Sequence, residues 1–395
     1  MKYWRGYLTA VIIAAIAGGL TWFASGHRAL VDMVYPYVTR LVQSTLAQWS
    51  AGVDFCVWQV LAILLIVILL ATVVLMIIFR WNFVQWLGWV LSAVALLWTM
   101  QVGLYGLNNY AGPLADDIRL KVTKYNITEL AEATVYFRDR ANTLSADIPR
   151  NETGSVQFPS FEEMANIAND GYEILTYEQS LSVFAGATVP VKKLEWADMY
   201  TSMGISGITM PFTGEAAVNP NLPAVSIPFT MCHELAHRRC IVSERDANLS
   251  AYLACNAHPN TVFQYSGYFM AFRYCYFALA SIDTSTAANV AREIYAGISP
   301  GLKHDMQEYQ AYLTENQKES ATNFATSVND TYLKASGNTQ GVQSYGEVCD
   351  LLVSWYIQEI YMPEHQDEEE GFNPTDKNHV ELSAPLSGNG WDRYA

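Results

Sequence analysis

The chain has 395 residues, is 51% hydrophobic and only 15% charged, and carries a formal net charge of −15. Its apolar excess is concentrated before residue 110, which divides the chain into a membrane part and a water-soluble part. The acidic balance, with no basic stripe, excludes nucleic acid as a partner, because phosphate binding needs clustered Lys and Arg. Six cysteines without a C-x-x-C pair exclude a zinc ribbon or a thioredoxin-type motif.

Three apolar stretches, Leu8–Ala24, Val57–Phe79 and Phe83–Leu104, read as transmembrane helices, since roughly 20 apolar residues cover the hydrocarbon core of a bilayer. Trp81, Trp86 and Trp89 mark one end of the third, and Trp98 and Tyr105 the other. The first stretch is at the short limit. With Lys2 and Arg5 before it and Ala24-Ser25-Gly26 after it, it also has the form of a cleavable signal peptide. Lys2, Arg5 and Arg80 assign the N-terminus and the tight turn between the second and third spans to the cytoplasm. The loop carrying Arg28 and Arg40 then lies outside, against the same rule. With or without cleavage, everything after Tyr110 is expected on the extracytoplasmic side of the cell membrane.

Residues 111–362 read as a folded domain and 363–395 as a polar tail. Asn126–Leu144 has helical apolar spacing at Leu130, Ala133 and Phe137, with Thr128 as a candidate N-cap. Ser160–Glu173 opens on a Ser-x-x-Glu capping box with Glu163. A short β-rich stretch follows: a strand over Ile205–Met210, a turn at Pro211-Phe212-Thr213-Gly214 and a returning strand at Ala224-Val225-Ser226-Ile227. From Pro228 the pattern is helical, over Phe229–Arg239, Arg245–Asn256, Gln264–Ile282, Ala287–Ala296, Gly301–Lys334 and Tyr345–Tyr361. The run Asp367-Glu368-Glu369-Glu370 fits a solvated, partly disordered tail.

Chemistry concentrates at His233-Glu234-Leu235-Ala236-His237. On a helix, positions i and i+4 share one face, so the two imidazoles can bind one Zn²⁺ at about 2.0–2.1 Å each. Glu234 is rotated away from them but stays beside the metal, where a general base takes a proton from polarised water. Leu235 and Ala236 face the core. The bland alternative is a surface helix with two solvated or packed histidines. A catalytic zinc also needs a third protein ligand and one open position. Glu244 is the nearest candidate, yet a continuous helix would carry it about 10 Å along the axis from His237. The helix must therefore end near Cys240 and turn back, with Ser243 capping a second helix that offers Glu244 from its first turn. Asp246 is a rival ligand, and a surface salt bridge at Glu244 stays open. Asn248, one turn after Glu244, is placed to hydrogen-bond a ligating histidine.

At these residues the chain resembles the gluzincin type of metallopeptidase, in which HExxH is followed by a Glu ligand on a later helix. It resembles more closely a bacterial membrane-protein family catalogued as domain of unknown function 3810. That likeness runs through Tyr35-Pro36, Asn109-Tyr110, Gly207–Glu215, Pro228-Phe229-Thr230, Tyr265-Ser266-Gly267-Tyr268, Asn329–Lys334 and Gly341–Gly346. It implies three transmembrane helices followed by an α+β zincin-like domain, mainly α, with a small β-sheet and a helical C-terminal half. It also implies His233, His237 and Glu244 as zinc ligands and Glu234 as catalytic base. The family usually has Gly where this chain has Cys240, a position that tolerates φ > 0. Either the turn differs here or Cys240 has another partner, in a disulfide with Cys232, Cys255, Cys275 or Cys349 or on the metal.

The activity so implied is hydrolysis of a peptide or protein substrate. For the second catalytic role, stabilising the oxyanion, Tyr265 is the chosen candidate beside Tyr345, His258 and His304. The strand Ile205–Met210 can pair with an extended peptide or be an ordinary buried strand. A non-catalytic zinc-binding sensor or regulator on the same fold is the alternative function.

Overall fold

We describe residues 4–316, 322–323, 326–327 and 347–365 of a computed structural model of the chain. The C-terminal part of the helix expected over Gly301–Lys334, the candidate Tyr345, the two resemblance segments beyond residue 328 and the acidic run at 367–370 lie outside the described residues.

Three helices are long and apolar enough to cross a membrane: α1 (Arg5–Gly26), α3 (Val57–Ile78) and α4 (Phe83–Leu104). α1 and α4 run parallel and touch backbone to backbone. A methyl group added at Gly6 would stand 2.5 Å from the Gly88 carbonyl carbon. Ser92 Oγ donates to Gly6 O at 2.7 Å, and Thr99 Oγ1 donates to Ile13 O at 3.0 Å. Lipid gives apolar helices no hydrophobic reason to associate, so small residues and side-chain hydrogen bonds join them. A cleaved leader would forfeit this packing. α3 is joined to α4 by a turn at Arg80, whose φ is +50°, and by one bond, Trp86 Nε1 to Thr72 Oγ1 at 3.2 Å.

Between the first two spans the sequence reading expects a loop. The structure has a helix there, α2 (Arg28–Ser50). Its polar side carries the soluble domain: Arg40 Nη1 donates to the Ser182 and Val183 carbonyls, and Gln43 Nε2 donates to Pro211 O at 3.0 Å.

The domain opens on α5 (Ile127–Asp147), which is capped by Asn126 rather than Thr128. Asn126 and Glu129 form a reciprocal capping box. The Ser160–Glu163 box starts α6 (Phe161–Ile167) as expected, but that helix breaks before Asp170. A three-stranded sheet follows in the order β1 (Lys192–Lys193), β3 (Glu215–Val218), β2 (Gly207–Met210). β2 pairs antiparallel with β3 from Gly207↔Val218 to Met210↔Glu215, and β1 lies parallel to β3. The returning strand is therefore 215–218, not 224–227, which forms a 3₁₀ turn into the next helix. β3 is buried at every position, so it lacks the alternation that marks a strand. Gly214, with φ +65°, closes the turn so tightly on α2 that a methyl group there would stand 2.5 Å from Ala47 N. Glu215 anchors the sheet to the membrane part. Its carboxylate pairs with Lys192 at 2.7 Å and accepts from Val57 N and Trp58 N at the start of α3.

The rest is helical: α7 (Ile227–Arg238), α8 (Glu244–Ala257), α9 (Thr261–Ala280), α10 (Ser285–Ala296), α11 (Pro300–Asn316) and α12 (Glu347–Tyr356). Phe137 of α5, Tyr252 of α8, Tyr268 of α9 and Trp355 of α12 stack edge to face or tilted into one core, with Tyr252 and Trp355 ring centroids 4.9 Å apart. α7 and α8 are thereby fixed between this core and the sheet.

Candidate metal centre

α7 carries Pro228 in its first turn, where a missing N–H costs nothing. Leu235 and Ala236 are fully buried, which turns His233 and His237 to the opposite face. The helix stops at Arg238, and Cys240 then adopts φ +67°. The turn is thus the glycine type with cysteine in place of glycine, and Cys240 is a free, buried thiol, as are the other five cysteines. Ser243 caps α8 by accepting from Asp246 N. Glu244, on the first turn of α8, faces back to the histidines.

The result is a convergence of three lone-pair donors. His233 Nε2 and His237 Nε2 are 3.1 Å apart. Glu244 Oε2 is 3.3 Å from the first and 3.7 Å from the second. Ligand atoms about 2.0–2.2 Å from a tetrahedral ion stand about 3.3–3.6 Å apart, so the spacing fits one zinc ion. The tautomers agree. His233 Nδ1 faces Asn248 Oδ1 at 3.0 Å and His237 Nδ1 faces the Ile241 carbonyl at 2.8 Å. Both partners are acceptors, so both Nδ1 atoms carry hydrogens and, in the neutral rings, both Nε2 atoms present lone pairs. Two lone pairs and a carboxylate aimed at one point repel one another unless a cation or proton sits among them. The three side chains are 12–15% exposed, so the point they share opens to solvent.

The electrostatics carry the same sign. Burial disfavours the His237 imidazolium, yet Glu244, Glu234 and the Ile241 carbonyl together raise its pKa to about 9. Burial alone would raise the Glu244 carboxyl, but His237 and His233 hold it well below the usual carboxylate range. Glu234 is shifted the other way: burial raises it more than the two histidines and Thr209 lower it. Two carboxylates on adjacent helices are thus driven apart, one fixed as an anion and one inclined to take a proton.

Sequence reasoning missed the groups that hold Glu234. Thr209 Oγ1, on β2, lies 2.8 Å from Glu234 Oε2 and 2.8 Å from the Glu234 carbonyl. A methyl group at Gly207 would stand 2.5 Å from Glu234 Oε1, so β2 approaches the carboxylate as closely as glycine allows. Also missed were Tyr274 OH, 3.1 Å from Asn248 Oδ1, and Tyr105 OH just past α4, which donates to His237 O at 3.1 Å. Two buried arginines pin the end of α7. Arg238 donates to the Ala187 and Val189 carbonyls, and Arg239 to the Phe184 carbonyl and Asn169. No periodicity marks a bond between distant segments; only the Gly-Ile-Thr stretch and the Glu-x-x-x-Asn spacing pointed toward two of these positions.

Other candidates are placed elsewhere. Asp246 accepts from Leu114 N and Arg245 and does not join the cluster. Tyr265 is fully buried and its hydroxyl donates to Asp305, which Arg150 also grips through two nitrogens at 2.7 and 2.8 Å. The structure thus does not bring Tyr265 to the centre. His258 is engaged with Ile167 O and Asn260 N. His304 lies beside Asp305 and Glu308.

Fold and site together define a membrane-associated, mainly helical protein that brings two histidines and a glutamate to one solvent-open point. The model of the family described as "Protein of unknown function (DUF3810)" matches residues 31–353, and the chain belongs to that family. No curated protein and no solved structure matches it.

Proposed function

We propose that the chain is a membrane-anchored zinc metallopeptidase of the gluzincin type, with His233, His237 and Glu244 as ligands and Glu234 as general base. The single observation that carries this reading is the convergence of three ligand atoms at near-tetrahedral spacing, with Glu234 of the same helix held beside β2 by Thr209. Bound there, zinc would supply Lewis-acid activation of water and of the scissile carbonyl. The chain's own residues do the rest. Glu234, with its raised pKa, takes a proton from the attacking water and returns it to the leaving amine. Thr209 fixes the rotamer of Glu234, and Asn248 with Tyr274 fixes the ring of His233. Among the described strands β2 pairs only with β3, and an extended peptide adding to its other edge would lie beside Glu234. The parallel α1 and α4, with Arg5 and Arg80 at the end away from the domain, support an extracytoplasmic domain.

The test is metal analysis and hydrolysis of a quenched fluorogenic peptide library, using full-length protein in detergent. Wild type and Glu234→Gln should hold zinc equally, His237→Ala should hold none, and only wild type should cut. Equal zinc in wild type and His237→Ala removes the site. Zinc retained with no cleavage by wild type favours a non-catalytic zinc sensor, and cleavage that survives in Glu234→Gln removes the base.

A further inference from the structure

The apolar pattern of α2 is inverted. Its buried positions are largely polar, with Thr39, Arg40, Gln43 and Ser50 turned toward the domain. Its outward face carries Met33, Val34, Tyr37, Val38, Leu41 and Trp49, each between 47% and 79% exposed. Among the exposed positions of this helix only Arg28, Asp32, Thr45 and Gln48 are polar. In water such a face would be costly. The chain around it says what covers it. One residue, His27, separates α2 from the end of α1, and residues 51–56 separate it from the start of α3, so both of its ends are tied to one face of the bilayer. It does not cross: it is bonded to the domain at Arg40, Gln43 and Ser50 on the other side.

We propose that α2 lies in the plane of the membrane–water interface, with the Met33–Val34–Tyr37–Val38–Leu41–Trp49 face in the acyl boundary and the soluble domain seated on its back. Interfacial helices bury such a face about 5–10 Å deep, and Tyr37 and Trp49 are the amphipathic aromatics that favour that depth. At about 1.5 Å per residue, α2 lays roughly 35 Å of helix along the surface. The turn that closes on it, Pro211–Gly214, follows directly on β2, the strand that touches Glu234. The candidate centre is thereby held at the bilayer surface rather than on a stalk above it. This inference does not depend on the centre being catalytic.

The experiment places an environment-sensitive fluorophore on full-length protein in phosphatidylcholine nanodiscs. Single cysteines are introduced as Val34→Cys and Leu41→Cys on α2, Leu65→Cys on α3 and Asp147→Cys on the domain surface. The native cysteines are all buried, so labelling the folded protein selects the new one. At both α2 positions we expect blue-shifted emission, quenching by lipid carrying a nitroxide near the headgroup, and little quenching by a mid-chain nitroxide or aqueous iodide. Leu65→Cys should respond to the mid-chain nitroxide and Asp147→Cys to iodide alone. If the α2 labels behave like the Asp147 label, the face is in water and the proposal falls. If no quencher reaches them, another protein surface covers the face, and the proposal falls equally. Matching the Leu65 response would make α2 a deep helix instead.

Discussion

Removing zinc from the proposed centre should loosen the seam between α7 and α8, and the size of the effect follows from linkage. A ligand bound only to the folded state adds about 2.7 kcal/mol when present at 100 times its dissociation constant. Each kcal/mol moves the midpoint by about 2–4 °C for a domain of roughly 150–250 residues. Chelation of zinc-loaded wild type, followed by intrinsic Trp fluorescence during heating in detergent, should therefore lower Tm by about 5–11 °C. The paired perturbation is Glu244→Gln, which keeps the shape of the side chain but removes the anion 3.3 Å and 3.7 Å from the two imidazoles. This variant should show little or no chelation shift, with a starting Tm near that of chelated wild type. Arg245→Ala, one residue along with its side chain on Asp246, should keep the full shift. A wild-type Tm indifferent to chelator, or a Glu244→Gln variant that shifts as much as wild type, would refute the convergence argument itself.

Gly207→Ala should leave zinc content unchanged and cut peptide hydrolysis by about 100-fold, because a methyl 2.5 Å from Glu234 Oε1 displaces the carboxylate by about an ångström. Normal turnover with normal zinc would show that β2 does not position it. Cys240→Gly should change stability by no more than about 1 kcal/mol, since relief of the left-handed backbone is offset by unfolded-state entropy and the lost burial of the thiol. Cys240→Val, β-branched at φ +67°, should cost about 1–3 kcal/mol in urea unfolding; a stable Val variant would contradict the turn. Tyr265→Phe should cost about 1 kcal/mol and spare hydrolysis, because its hydroxyl is spent on Asp305; a collapse of kcat without loss of stability would return Tyr265 to the centre. Asp305→Ala should cost about 3 kcal/mol by thermal unfolding, as it removes the carboxylate shared by Arg150 and the buried Tyr265 hydroxyl.

The convergence of His233, His237 and Glu244 was legible because its parts are local. HExxH puts two histidines on one face by helical period alone, and Ser243 signals a new helix whose first turn must carry Glu244. The three spans were legible for the same reason, as each is one uninterrupted apolar run. What escaped reading depends on contacts between distant segments. β3 is buried on both faces, opens on a charged Glu215 and is built partly of alanine, so neither alternation nor propensity marks it. Tyr265 reads as a candidate acid only until its partner is known, and that partner, Asp305, lies forty positions away in the chain.

The missed α2 has a different cause, since its periodicity was present in the sequence. Met33, Val34, Tyr37, Val38 and Leu41 recur at helical spacing, and Thr39, Arg40, Gln43 and Ser50 occupy the other side. Pro36 inside the helix removes one donor, and Thr39 Oγ1 donates to the Tyr35 carbonyl at 2.9 Å a turn later. The deeper obstacle is the assumption that an apolar face points into the protein. Between two spans the cheaper environment for that face is lipid, so the polar face becomes the one that packs. A segment between transmembrane helices should then be read with inside and outside exchanged. Read so, Arg40 ceases to be a loop charge against the positive-inside rule and, with Gln43, seats the domain.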